Sequence, residues 1–73
     1  MNYEIIIKGY IHEELKSHWF EELEMTQNKA HNTVLRGDFI DQAALYGALR
    51  RIRDLGLELI SVTPMDELMK KHE

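Results

Sequence analysis

Cysteine is absent from these 73 residues, which removes a disulfide framework, a thiol nucleophile and a thiolate metal site together. Secreted domains this small usually need such staples, so the cytoplasm is the expected compartment. Also missing are a basic leader followed by an apolar stretch and any run long enough to span a bilayer. Near the start, the longest strictly apolar run is Ile5-Ile6-Ile7. Cations are in deficit, nine Lys and Arg against thirteen Asp and Glu for a formal charge of -4. This argues against nucleic acid or an anionic membrane as partner, because neutralising phosphates takes a concentrated excess of Lys and Arg. No Gly-rich phosphate loop occurs, the Cys pair of a metal chaperone is missing, and Thr33-Val34-Leu35-Arg36-Gly37-Asp38 lacks the aromatics of an RNA-binding strand.

What is present is a 44% hydrophobic chain with regular apolar periodicity, which argues against disorder and describes one soluble globular domain. Surface scaling expects about 62% of the unfolded chain's area to be buried. Tyr3 to Ile11 reads as a strand with Tyr3, Ile5, Ile7 and Ile11 on one face and Glu4, Ile6, Lys8 and Tyr10 on the other. His12 to Phe20 fits two turns of helix or a bent loop. Trp19 to Gln27 reads as a half-solvated second strand, Asn28-Lys29-Ala30-His31 as a turn, and Asn32 to Phe39 as a third strand.

The clearest element follows. Asp41 is a natural N-cap, with Asp38 as an alternative, and Ala44, Leu45, Ala48, Leu49, Ile52 and Leu55 form one apolar stripe. Arg50, Arg51 and Arg53 crowd the C-terminal end, where the macrodipole favours cations, and Gly56 follows as a left-handed cap. Leu57 to Thr63 reads as a fourth strand, apolar on both faces and stopped by Pro64. Residues 1–64 are thus expected to form one α+β domain, and residues 65–73 a tail that is a short helix or disordered. The order is the ferredoxin-like βαββαβ pattern with a short or absent first helix. It predicts a four-stranded antiparallel sheet with one long helix on one face, the first strand beside the third. The expected core is Ile5, Ile7, Trp19, Leu23, Leu45, Leu49, Ile52 and Leu59.

The run from Asp41 to Leu57, continuing through Leu59-Ile60-Ser61-Val62, resembles a set of small bacterial single-domain proteins without an assigned activity. Lys8-Gly9 at the end of the first strand and Trp19 before the second are similar too. The resemblance covers residues 3 to 62 and implies a self-standing domain. It transfers no catalytic residue.

The candidate sites each have an ordinary explanation beside the functional one. His12, Glu13, Glu14 and His18 offer only one helical i, i+4 pair, Glu14 with His18, so solvated residues are expected there and no metal site. His18 and Trp19, with Arg36 and Tyr46, are the candidate small-molecule site, an acid–base residue beside an aromatic wall, although no nucleophile, base and orienting residue can be named together. The arginine cluster can grip phosphate or carboxylate, or simply face solvent. Gly47, among Ala43, Ala44 and Ala48, predicts close packing against the sheet or a second chain. No catalytic residue and no cofactor is assigned.

The leading expectation is a noncatalytic interaction or regulatory module with an unknown protein partner; the alternative is a small-molecule-binding protein or a minimal cofactor-free enzyme. Because one helix covers only one sheet face, apolar residues on both parities of the first and fourth strands predict a homodimer. Ile6, Tyr10, Ile60 and Val62 are its expected interface, and pairing through the fourth strand is a further route.

Overall fold

Triple isoleucine at positions 5 to 7 drives the first element, since β-branched side chains pack well on a pleated surface. In the computed structural model, which describes residues 1–15, 20 and 22–70, the elements are β1 (Asn2–Ile7), β2 (Glu24–Gln27), β3 (Thr33–Asp38), α1 (Gln42–Asp54), β4 (Leu59–Pro64) and α2 (Met65–Lys70). Glu13, Glu14 and Leu15 are also helical. The architecture is α+β: one four-stranded sheet in the order β2-β3-β1-β4, antiparallel at every pairing, with α1 packed on one face. β1 and β3 lie inside, and β2 and β4 form the edges.

β1 is shorter than its sequence pattern predicts. Gly9 takes a left-handed conformation (φ 83°), turning the chain out of the ladder two residues after Ile7. The turn is pinned from β3's end. Asn32 Oδ1 accepts from the Gly9 amide at 3.0 Å, while the Thr33 hydroxyl donates to the Gly9 carbonyl at 2.7 Å and accepts from the Ile11 amide at 3.2 Å. Ile11 therefore enters the core from a turn rather than from a strand.

The second strand is also trimmed, from the predicted Trp19–Gln27 to Glu24–Gln27. A turn closed by the Leu23 amide on the Phe20 carbonyl (3.0 Å) sends both Phe20 and Leu23 into the core. Leu23 lies over Gly37 of β3, where a Cβ would overlap its Cδ2 atom, so the glycine there makes room for that packing. Between β2 and β3, Asn28 Oδ1 accepts from the amides of Ala30 (3.0 Å) and Asn32 (3.1 Å), building the tight turn that the polar run predicts.

α1 begins where Asp41, in extended backbone, accepts from the Ala44 amide at 2.8 Å. It ends in a Schellman motif: Gly56, at φ 76°, donates to Arg53 and Leu57 donates to Ile52. Leu45, Ala48 and Ile52 are buried and Leu49 is partly buried against them. Ala44 and Leu55, at the margins of the predicted stripe, are exposed. The core joins Ile5, Ile7 and Leu35 of the sheet to this helix face and to Ile11, Phe20, Leu23 and Phe39. Leu59, predicted in the core, is instead 43% exposed at the sheet's edge, and Trp19 lies outside the described residues.

β4 departs most from expectation. A register shift between Ile6 and Ile7 pairs Ile6 with Ser61 and Ile7 with Leu59, leaving Ile60 as the extra residue of a bulge. The bulge resets the parity. Leu59 comes opposite Ile7 and Val62 opposite Ile5, so both stand on the face that α1 covers. Pro64 does not stop the strand but completes it opposite Tyr3, as an edge strand allows. The tail that follows is helical from Met65 to Lys70.

Candidate functional site

Arg36 and Tyr46, the described members of the expected small-molecule site, lie on opposite sides of the sheet. Leu35 faces the core, so its neighbour Arg36 points from the other face, while Tyr46 stands exposed on α1. His18 and Trp19 are outside the described residues. Arg36 is already engaged, its Nε 2.9 Å and its Nη2 2.8 Å from Glu4 Oε2. Glu4 is only 7% exposed, so this pairing compensates a buried charge rather than preparing a ligand site. Among the described residues no group of three His, Asp or Glu is placed to hold a metal ion.

The face bearing Arg36 differs from the one the sequence pattern implies. It is built from Asn2, Glu4 and Ile6 of β1, Val34, Arg36 and Asp38 of β3, Glu24 and Thr26 of β2, and Ser61 and Thr63 of β4. Only Ile6 and Val34 are apolar, and Val34 is buried between its cross-strand neighbours Ile6 and Thr26. The expected interface set therefore does not form one patch. Ile6 is half-buried on the polar face, Val62 packs against the core on the opposite face, and Ile60 sits in the edge bulge. Tyr10 is exposed beyond the Gly9 turn, edge-on to His12 with ring centroids 6.4 Å apart. The bulge that scatters this set leaves no mark in the alternation of residue types, because it appears only once β4 is paired with β1.

Two grooves flank α1. One, of about 910 Å³, runs past Phe20, Leu23, Phe39, Ile40, Ala43 and Gly47. A Cβ at Gly47 would meet nothing within 4 Å, so close packing against the sheet is not what the glycine serves. The other, about 920 Å³, lies between the C-terminal half of α1 and the start of β4, with Leu49, Leu57 and Leu59 in its lining and Tyr46, Arg50 and Arg53 beside them. Arg53 reaches Asp54 at 3.6 Å with both side chains exposed, and Glu58 on the same groove is held by Lys8 at 3.5 Å.

The sheet's two edges are unlike each other. β2 is four residues long, begins with an exposed Glu24 and is preceded by an exposed Glu22. Charge and shortness are how natural sheets block further strand pairing. β4 is six residues long, Leu-Ile-Ser-Val-Thr-Pro, without a charge, and Leu59 and Ile60 are 43% and 49% exposed. Its outer backbone groups face no other strand of the sheet. Sequence reading finds this edge through composition alone, as a largely apolar strand without the edge charges of the second.

Among the described residues no helix is long and apolar enough to cross a membrane. A family model described as a domain of unknown function matches residues 2–63, from the start of β1 to the penultimate residue of β4. No curated protein and no solved structure matches the chain.

Proposed function

We propose that this chain, which belongs to the family DUF8691, a domain of unknown function, is a noncatalytic cytoplasmic interaction module of ferredoxin-like topology that self-associates through β4. The topology is supported by the edge positions of β2 and β4 and by the placement of α1 between β3 and β4. The contrast between the two edges carries the functional reading: one is short and charged, the other long, uncharged and half-apolar. A two-fold partner presents the same strand antiparallel to it, so both copies satisfy their free backbone groups at once. The polar face opposite α1 no longer needs a cover, which moves the expected homodimer from the sheet face to the sheet edge.

Light scattering at micromolar concentration tests the reading. The expected mass is twice the 8.6 kDa of one chain. Ile60→Lys, which places a charge on the open edge, is expected to return the mass of one chain, while Thr26→Lys on β2 leaves the dimer intact. A single-chain mass that holds over a tenfold rise in concentration overturns the reading, as does a dimer indifferent to Ile60→Lys.

A further inference from the structure

The groove between α1 and β4 is lined by the start of an edge strand, so it borders the proposed dimer seam. A two-fold axis that pairs two copies of an edge strand must run perpendicular to the sheet, because only that operation reverses the strand and keeps the faces aligned. Both copies of α1 then sit on the same face of one continuous sheet, with their grooves opposed across the seam. Any residue that meets its own copy on the axis sets the register. With Ser61 there, near the middle of β4, Leu59 faces the partner's Thr63, and the partner's α2, which starts directly after its Pro64, begins beside the Gly56–Glu58 segment that leads into β4.

α2 carries Asp66 and Glu67, both exposed, in its first turn immediately after β4. The groove that Gly56, Leu57 and Glu58 help to line also carries Arg50 and Arg53, both exposed. Glu58 on that groove is held by Lys8, and Arg53 reaches its neighbour Asp54 only at 3.6 Å between two exposed side chains. Resting on the dimer reading above, we propose that the partner's Asp66 and Glu67 dock on Arg50 and Arg53, so that the α1–β4 groove is an intersubunit site completed by a second copy. Both ends of the seam carry the same pairing, so each interaction counts twice. The contacts are rim contacts between exposed charges, which makes them a device for fixing register and partner choice and makes them sensitive to salt.

The dimer dissociation constant of the full chain, measured by light scattering over a dilution series, tests this. Arg50→Glu with Arg53→Glu is expected to weaken the dimer by about tenfold, as is Asp66→Lys with Glu67→Lys, and combining all four restores most of the loss. Raising salt is expected to weaken the native dimer and to leave either reversed variant less affected. Reversed variants within about twofold of the native dimer, or a quadruple variant that fails to recover, overturn the intersubunit site. If Ile60→Lys still dissociates that dimer, the edge-pairing reading survives alone. A native chain that never dimerises overturns both.

Discussion

The two faces of the sheet are made by alternate residues of the same strands and are held together by different physics. On the covered face Ile5, Ile7 and Leu35 are fully buried against Leu45, Ala48 and Ile52 of α1, a contact that is apolar throughout and needs only complementary shape. On the other face, one residue away in each strand, Glu4 and Arg36 meet across the β1–β3 ladder. There stability depends on a partner of the right charge at a particular distance. The first face tolerates apolar side chains of about the right volume, while the second tolerates a change best when both partners change together.

The largest expected effect is on the covered face. Leu35→Ala should cost about 2–5 kcal/mol in chemical denaturation. That is a large share of the roughly 4–11 kcal/mol expected of a domain this size. A loss near zero would mean that α1 does not hold this face. On the opposite face, Arg36→Ala should cost about 1.5–3 kcal/mol, because it strands the buried Glu4 carboxylate. Replacing both Glu4 and Arg36 by Leu should cost less than Arg36→Ala alone, since no unpaired charge remains. If the double replacement is the more damaging, the contrast between the faces fails. The smallest effect belongs to Tyr46→Ala, on the solvent side of the helix that covers the first face. It should stay within about 0.5 kcal/mol in the same measurement.

Local signals account for what sequence reading found. The α1 boundaries follow from Asp41 and Gly56, each acting within one turn of its own position, and the β2–β3 turn follows from Asn28 in the same way. Three of the misplaced features depend on residues far apart in the chain. β1 stops at Ile7 because Asn32 and Thr33 hold Gly9, and their spacing in sequence gives no hint of it. Arg36 looked available for a ligand because its partner Glu4 precedes it by 32 residues. Both parities of β4 looked apolar because an unseen bulge lets Leu59 and Val62 share a face. Of the candidate site, only the largely apolar character of the fourth strand was legible, since it is a property of composition and needs no knowledge of pairing.

The central position of β1 has a consequence for the order in which the molecule is assembled. β1 is made first, but its neighbours arrive much later: β3 with residues 33–38 and β4 with residues 59–64. Both of its ladders therefore close long loops, the kind of contact that slows folding. During synthesis the β1–β3–β2 sheet can form once Asp38 has emerged, yet β1 is then an edge strand carrying three consecutive isoleucines, and its inner face is bare until α1 follows. The arrival of β4 covers that edge and replaces it with an uncharged one. A nascent chain stalled before Leu59 would thus expose the most adhesive strand of the protein, making the last strand synthesised the one that protects the first from aggregation.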